Sequence, residues 1–346
     1  MRLFKRKDSP DGAAVAERPQ FDGSVDELFA EIRELTDAAR QARDPEIERR
    51  LMGLRHVAGI RLLDAGDTNP SHPEPAFSAL PETDGLPEFR REDLTPELLR
   101  AGILRDGCVL VRGLIGRDEA VRFAGEIDRA YDERDRRAQG NGTSEGYYEE
   151  ITLDPRFGEI DVRDWIQQGG GLLMADSPRL TYDLMDLLES AGVPRLIGGY
   201  LGEAPLLSVH KTTLRKAVPS VPGKWHQDGA FMGDVRSINL WLSLSRCGDV
   251  APGLDIVPRR LNELVTGEMP DDPTLFYLVN QEAAEKAAGD RPIIRPIFEP
   301  GDALLFDEMF LHQTASDPSM PNPRFAVESW FFGASAFPAE YAPIAV

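Results

Sequence analysis

Two histidines, an aspartate and an arginine in the second half of the chain have the types and spacing of a metal site. His226 and Asp228 lie two residues apart, His312 comes several strands' length later, and Arg324 follows a short strand's length beyond it. Two neutral imidazoles and one carboxylate can bind one face of an Fe(II) ion and leave the opposite positions open to oxygen and substrate. The chain has only 5 His, so finding two of them in this arrangement is informative.

The local geometry favours convergence of these side chains. Residues two apart on an extended segment point to the same side, so His226 and Asp228 can meet one ion without a helix, while Gln227 points away and is structural. A His-x-Asp triplet alone arises often by chance. His312 strengthens it, because it follows the apolar run 303–306 and the long intervening segment lets strands run out and back. An antiparallel jelly roll builds a site in its mouth in this way.

Arg324 begins a predicted strand, 324–330, and shares one face of it with Ala326, Glu328 and Trp330. An arginine that points into a barrel is costly unless a carboxylate meets it. Its planar fork suits bidentate pairing with a ligand carboxylate. The alternatives are that Arg324 pairs with Glu328 or lies on the surface. So soon after a candidate metal histidine, ligand binding is the favoured interpretation.

The segments that must position these residues have the sequence pattern of a β-protein. From about residue 205, short apolar or alternating runs are separated by Gly, Pro and Asp. They predict strands over 206–214, 237–244, 254–257, 293–298, 303–306 and 325–332. Strands spaced in this way are typical of an all-β barrel or sandwich. Helices precede rather than separate them, which argues against a doubly wound parallel sheet. We therefore expect a mainly β fold with flanking helices.

The N-terminal part of the chain predicts helices. Ser24 and Glu27 form a capping box at the start of one helix, and a second begins at Asp44 and Pro45. A segment rich in proline follows and is typical of an extended linker. The predicted division has four parts: a disordered N-terminus 1–20, a helical extension 21–68, a linker 69–93 and the main domain 94–346.

The main domain is predicted to start with a helix at Thr95 and Pro96, followed by a buried strand over 108–111. A helix is expected over 118–131. A mobile loop is expected over 132–150, since that segment is polar and contains glycine.

Composition and charge exclude several classes of protein. Hydrophobic residues make up 41% and charged residues 28%, as in soluble globular proteins. The formal net charge of -20 argues against binding to a nucleic-acid backbone. No run is long and apolar enough to span a membrane, and no hydrophobic run follows the basic N-terminus as in a signal peptide. Cys108 and Cys247 lie among apolar residues and predict reduced thiols in a cytoplasmic protein.

The remaining histidines and one strand face are expected to have roles other than metal binding. His56 is expected at a helix surface or core edge, and His72, in the linker, is expected to be exposed to solvent. His210 is expected to be a hydrogen-bonded structural residue, with a contact to a bound small molecule as the alternative. The alternating face that carries Asn239 and Trp241 lines a pocket or faces solvent, and these two interpretations are about equally supported.

Several segments together resemble the phytanoyl-CoA dioxygenase family. They are 225–229 (WHQDG), 239–244 (NLWLSL), 301–306 (GDALLF), His312-x-Thr314 and Arg324. The resemblance covers roughly residues 95 to 335. It implies a double-stranded β-helix core, which is a jelly-roll, cupin-like fold, and an Fe(II)- and 2-oxoglutarate-dependent oxygenase.

The resemblance also implies roles for individual residues. The implied iron ligands are His226, Asp228 and His312. Arg324 would bind the distal carboxylate of 2-oxoglutarate, and Thr314 sits where the family places a hydroxyl that assists the arginine. We add Asn239 as a residue that faces the cosubstrate. The implied reaction hydroxylates a small-molecule substrate with dioxygen and converts 2-oxoglutarate to succinate and CO2.

Departures from the family limit the prediction. Residues 258–260 read Pro-Arg-Arg where the family often has Pro-Gly-Ser-His, so the substrate is not implied. The helical segment before residue 90 has no counterpart. Two other functions stay open, a cupin-type metal enzyme that does not use 2-oxoglutarate and a non-catalytic metal-binding barrel. Arg324 argues against the first, because such enzymes need no carboxylate anchor there, and the intact set of metal ligands argues against the second. The sequence makes no prediction of oligomeric state.

Overall fold

Two β-sheets pack against each other in the computed structural model, which describes residues 20–66, 69–83, 85–221, 223–266 and 277–346. The strands are β1 (Glu88–Arg90), β2 (Cys108–Arg112), β3 (Gly171–Leu173), β4 (Pro205–Ala217), β5 (Trp225–His226), β6 (Ser237–Ser243), β7 (Gly253–Ile256), β8 (Leu278–Val279), β9 (Ala303–Phe306), β10 (His312–Ala315), β11 (Arg324–Gly333) and β12 (Pro343–Ala345). The helices are α1 (Val25–Gln41), α2 (Pro45–Ala65), α3 (Pro96–Asp106), α4 (Arg117–Ala138), α5 (Arg163–Gln168), α6 (Pro178–Ser190), α7 (Val193–Leu201), α8 (Gly229–Met232) and α9 (Gln281–Ala288).

The strands alternate between the two sheets as the chain proceeds. The large sheet has the order β1-β2-β9-β6-β11-β4-β12, with β3 paired to β4, and the small sheet has the order β7-β10-β5-β8. The chain therefore passes from β4 in the large sheet to β5 in the small one, back to β6 and across again to β7, and β9, β10 and β11 repeat this alternation. Such a winding is a double-stranded β-helix, and the predicted mainly β fold with flanking helices is confirmed.

The large sheet separates two hydrophobic cores. Residues Leu240 and Leu242 of β6 pack with the helices on the outer side. Trp241, between them, packs with Leu304 and Trp330 on the inner side, together with residues of the small sheet. All residues of β6 are buried, so the face that carries Asn239 and Trp241 lines the barrel interior rather than solvent.

The N-terminal helices begin where the sequence predicts. Ser24 and Glu27 form the capping box of α1, and the Asp44 side chain accepts from the Glu46 amide at the start of α2. Helix α2 packs against α1, α6 and β12. His56 on α2 is buried, with its Nδ1 2.9 Å from the Pro343 carbonyl oxygen, so the helices at one end of the sequence support the last strand.

Two predicted segments differ from the structure. Residues 293–298 form only isolated bridges, Ile294 with Ile256 and Phe298 with Cys247, because Pro296 in the middle of the run has no amide to donate to a ladder. Helix α4 continues to Ala138, so the predicted loop over 132–150 begins later than expected.

His72 is not exposed as predicted. Its Nδ1 lies 2.8 Å from the Tyr200 carbonyl oxygen, and its ring packs against the Tyr200 ring at a centroid distance of 5.0 Å. Burial lowers the pKa of His72 to about 4. The proline-rich segment thus packs on α7 by means of this side chain.

Both cysteines are buried free thiols, as predicted. Burial raises the pKa of both Cys108 and Cys247, so neither is ionised near neutral pH. Among the described residues, no helix combines the length and apolar character that crossing a bilayer requires.

Candidate metal centre

The two sequence-predicted histidines face each other across the small sheet. His226 ends β5, His312 begins β10, and the two residues are register partners in an antiparallel ladder. Their ring centroids are 4.5 Å apart. One ligand atom from each of His226, Asp228 and His312 lies within 4.8 Å of the others. The structure thus brings together the three residues for which the sequence predicts metal binding.

Asp228 reaches this position by a different route from the predicted one. Strand β5 ends at His226, and Asp228 has φ −63 and ψ −27, the conformation of a helix start rather than of a strand. The Asp228 carbonyl accepts from the Met232 amide at 3.0 Å, and the Gly229 amide donates to the Glu308 carbonyl at 2.8 Å. The turn into α8, and not strand alternation, brings the carboxylate to the imidazoles.

Both imidazoles are oriented by backbone carbonyls. His226 Nδ1 is 2.9 Å from the Lys224 oxygen, and His312 Nδ1 is 3.1 Å from the Phe310 oxygen. A carbonyl only accepts, so each Nδ1 carries the proton and each Nε2 keeps a free lone pair for a metal. Burial, reinforced by His226, lowers the pKa of His312 to about 4, so this ring is neutral at pH 7.

Gln227 anchors the loop that carries the ligands. Its side chain is buried, and its Nε2 donates to the Met309 carbonyl at 2.7 Å. Its Oε1 accepts from the Val265 amide at 2.7 Å. These bonds connect the His226 loop to the turn before His312, which agrees with the structural role predicted for Gln227.

Arg324 is a buried cation without an acid partner. It is 2% exposed, its Nη1 donates to the Gly253 carbonyl at 3.1 Å, and its guanidinium carbon lies 5.2 Å from the centre of the Trp241 ring. Its Nε has no hydrogen-bond partner, and no carboxylate pairs with it among the described residues. Burial lowers the pKa of the guanidinium, although this group stays charged at neutral pH.

The predicted alternative partner of Arg324 is engaged elsewhere. Glu328 accepts from Arg215 Nε at 3.0 Å and from the Thr213 hydroxyl at 3.0 Å. Burial opposes ionisation of Glu328, but Arg215 and Arg324 together hold the pKa of this carboxyl below its usual value. A quarter of the Glu328 side-chain surface, 25%, stays accessible, so the ion pair faces open space inside the barrel.

The other two predicted cosubstrate residues lie on β10, which carries His312, and on β6, which pairs with the strand that Arg324 begins. Thr314 is on β10 with His312 and pairs with Leu254 of β7. The residue before Leu254 is Gly253, whose carbonyl accepts from Arg324. Asn239 is 3% exposed, and its Oδ1 has no hydrogen-bond partner among the described residues. A buried amide oxygen without a partner is costly, which is consistent with a ligand-lined wall.

Lys211 is a further residue of this inner wall that the sequence did not single out. Its Nζ lies 3.9 Å from the centre of the Phe231 ring, and Phe231 belongs to α8, which begins beside Asp228. The neighbouring His210 is structural, since its Nδ1 accepts from the Ala342 amide at 3.2 Å and its ring stacks on Tyr341. Strand alternation requires one of the two adjacent residues to face inward but does not say which.

No protein-family model matches the sequence, and no curated protein matches it. The resemblance to the phytanoyl-CoA dioxygenase family therefore stays a prediction. Solved structures do resemble the chain. One is EctD from S. alaskensis with 2-oxoglutarate and 5-hydroxyectoine, with a TM-score of 0.49 and 15% identity over 78% of this chain and 86% of that one.

Two further similar structures come from other proteins. SnoK, a non-haem alpha-ketoglutarate-dependent carbocyclase from nogalamycin biosynthesis, has a TM-score of 0.46 and 17% identity over 71% of this chain and 86% of that one. AviO1 from Streptomyces viridochromogenes Tue57 has a TM-score of 0.42 and 16% identity over 68% of this chain and 94% of that one. Likeness at this level leaves the chemistry of the chain to be argued from its own residues.

Proposed function

We propose that the protein is an Fe(II)- and 2-oxoglutarate-dependent dioxygenase, related to the phytanoyl-CoA dioxygenase family, that hydroxylates a small molecule. The observation that carries the proposal is Arg324. This buried arginine has no acid partner, and it lies inside the same barrel that holds a His-Asp-His group. A metal site alone is compatible with many enzymes. A metal site beside an unpaired arginine, which can bind a carboxylate, fits a 2-oxo diacid.

The donor set suits iron. His226 and His312 would bind through Nε2, because both Nδ1 atoms donate to carbonyls. Asp228 would supply the carboxylate. Three protein ligands on one face leave three positions, of which a 2-oxo acid can occupy two and dioxygen one. The carboxylate ligand also favours hydroxylation, because halogenating relatives of the family lack it and leave its position for chloride.

Arg324 would pair with the distal carboxylate of 2-oxoglutarate. The fork offers Nε and a second Nη for bidentate contact, since only Nη1 is used by Gly253. Thr314 would assist from β10, and Asn239 would offer its amide from β6. The diacid would supply the acidic partner that Arg324 does not have in the protein. In a cupin-type enzyme that does not use this cosubstrate, Arg324 would have no such partner.

The remaining residues position the reactants and exclude water. The His312 ring packs between Phe306 and Phe310, with centroid distances of 4.9 and 5.7 Å. Trp330 packs edge-on against Phe306. The bound metal and cosubstrate supply the oxidising chemistry, with release of succinate and CO2, so we assign no side chain as general acid or base.

Anaerobic addition of Fe(II) and 2-oxoglutarate to the purified protein tests this function. We expect a visible charge-transfer band, lost in Asp228→Ala and in His312→Ala. His72→Asn is the matched control, because His72 is a partly buried histidine outside the site and the variant should keep the band. Absence of the band in wild type, or an unchanged band in both ligand variants, would contradict the proposal.

The hydroxylation step needs a separate test. Metabolites of cells with and without the protein are compared by untargeted mass spectrometry, and we expect a pair of compounds that differ by one oxygen atom. A candidate substrate should then stimulate conversion of 2-oxoglutarate to succinate by the wild type and not by His312→Ala. Stimulated succinate release with a product that has lost two hydrogens would instead assign a desaturase.

A further inference from the structure

Lys211 is a second inward-facing cation that lacks an acid partner. Two other cations of β4 are paired: Arg215 with Glu328 on the inner side at 3.0 Å, and Lys216 with Asp128 of α4 on the helix-covered side at 2.5 Å. Among the described residues, no carboxylate lies within ion-pair distance of Lys211, and its ammonium group lies over the Phe231 ring. A lysine over an aromatic ring is held in place by a cation–π interaction that leaves its donors free.

Lys211 is partly buried, and its ammonium group lies beside the helix that begins at the metal site. Burial lowers the pKa of its ammonium group, while Asp228 and Glu328 act in the opposite direction. Phe231, which the ammonium group contacts, lies on the helix that follows Asp228, so Lys211 is near this ligand without pairing with it. A group bound by Lys211 would lie beside α8, which begins next to Asp228.

Adding the charges of the loaded site leaves Lys211 unbalanced. A ferrous ion with Asp228, a dianionic 2-oxo acid and Arg324 sum to zero, and the Arg215–Glu328 pair is neutral. Lys211 then contributes one uncompensated positive charge. Enclosed charges in proteins are usually paired or bound to a ligand. A negative charge on a molecule other than the cosubstrate would balance it.

The register separates Lys211 from the cosubstrate anchor. Arg324 pairs with Ala217 on β4, and Glu328 pairs with Thr213. Lys211 lies beyond Thr213, so its backbone is about 20 Å along β4 from the position opposite Arg324. Glu328 lies between them. A five-carbon diacid bound at Arg324 and at the metal has no carboxylate left for Lys211.

We propose that Lys211 binds a carboxylate of the substrate, so that the substrate is a small monoanionic acid whose apolar part packs near Phe231. Lys211 would thus determine specificity rather than take part in the oxidation. The inference rests on the proposed function, because that function accounts for the other charges of the site.

Matched acid and amide probes test the proposal. The wild-type protein, loaded anaerobically with Fe(II) and 2-oxoglutarate, is titrated with benzoate and benzamide and with hexanoate and hexanamide, followed by ligand-observed NMR. We expect each acid to bind at least about tenfold more tightly than its amide, the equivalent of one charge-assisted contact. Equal or absent binding of acid and amide overturns the proposal.

Variants assign the preference to Lys211. Lys211→Met should abolish it and Lys211→Arg should keep most of it, and retention of the preference in Lys211→Met would overturn the proposal. Lys216→Met is the matched control on the same strand, because Lys216 is paired with Asp128, and it should bind the probes like wild type. Lys211→Met removes an unpaired charge and is expected to fold.

Measuring 2-oxoglutarate binding by the same variant distinguishes failure of this proposal from failure of the proposed function. Lys211→Met should form the charge-transfer band at the 2-oxoglutarate concentration that suffices for wild type. If it instead needs at least tenfold more while the acid preference persists, Lys211 belongs to the cosubstrate and the proposal fails. A wild type without any band would contradict the proposed function, while the acid and amide comparison repeated without metal would still report on Lys211.

Discussion

The two sides of the large sheet differ in how some of their buried charges are partnered. On the helix-covered side, Arg163 pairs with the buried Asp176 at 2.8 Å, and Arg43 pairs with Asp183 at 2.7 Å. On the inner side, Arg215 pairs with Glu328 at 3.0 Å, but Arg324 and Lys211 have no acid partner among the described residues. The paired charges fix neighbouring elements to each other, whereas the unpaired inner ones indicate where ligands complete the structure. Substitutions on the two sides should therefore change different properties.

The largest effect on stability is expected for Asp176→Ala. Asp176 accepts from Arg163 Nε at 2.8 Å, from Nη2 at 3.0 Å and from the Ile151 amide at 3.0 Å. Removing one partner of a buried pair typically costs about 3–5 kcal/mol. Urea denaturation should show this loss, with an unchanged cosubstrate band in the folded protein. A loss below about 1 kcal/mol, the range of exposed pairs, would remove the distinction between the two sides.

Arg324→Met should weaken cosubstrate binding and leave the stability of the fold intact. We expect 2-oxoglutarate affinity to fall about 100-fold, since a bidentate charged contact contributes about 3 kcal/mol. The free energy of unfolding should stay the same or rise, because the variant removes a buried charge with no partner. Titration of the charge-transfer band and urea denaturation measure the two quantities. Arg324→Lys, which keeps the charge but loses the fork, should lie between the two in affinity.

A strong destabilisation by Arg324→Met with unchanged 2-oxoglutarate affinity would place this residue with the structural pairs. The distinction between the two sides would then fail at its most important residue.

His72 and His312 sharpen the comparison through pH. Burial lowers the pKa of each to about 4, one outside the site and one within it. The unfolded state binds a proton near pH 6.5 and the folded state does not, so stability falls as the pH drops from about 6.5 to 4 and levels off below.

We expect His72→Asn to lose about 2 kcal/mol less stability than wild type over that interval, after allowance for the partial exposure of the ring. Fe(II) should leave this difference unchanged, because His72 is not a ligand. Denaturant midpoints at pH 7 and pH 4, with and without metal, give the measurement. Equal pH dependence of wild type and variant would show that His72 does not stay neutral in the folded protein.

The smallest effect is expected at an exposed pair. Arg156 contacts Asp64 at 2.9 and 3.1 Å, with both side chains largely in solvent. Asp64→Asn should change the free energy of unfolding by less than about 1 kcal/mol. Urea denaturation at low and at high salt checks this, and a larger, salt-independent loss would mean that exposure does not separate weak from strong pairs here.

Local features of the fold are readable from the sequence. The run 303–306 has the bounds of β9, and the capping box at Ser24 starts α1, because apolar alternation and capping depend on neighbouring residues. The apolar residues of the run 293–298 predict a strand, but Pro296 has no amide to donate to a strand ladder. Apolar patterning alone therefore does not suffice to predict a strand. Donor types and spacing likewise suffice to select His226, Asp228 and His312.

Long-range arrangement is not readable in the same way. The register of His226 with His312 depends on which strands pair, and no local pattern encodes it. The pairing of Glu328 with Arg215, which leaves Arg324 free, depends on the packing of three strands. His72 is buried by Tyr200, far away in the sequence, and its proline-rich surroundings give no sign of that contact. These are the features that turn a list of candidates into a site.

The His226–His312 register has a kinetic consequence. The two residues lie on adjacent strands, β5 and β10, that are far apart in the sequence, so closing this contact costs the unfolded chain considerable entropy. An ion bound by both histidines would act as a reversible cross-link between the two ends of the segment 226–312. Loading with metal should then slow the opening of the small sheet, and amides of β5 and β10 should exchange their hydrogens more slowly in the holo-protein.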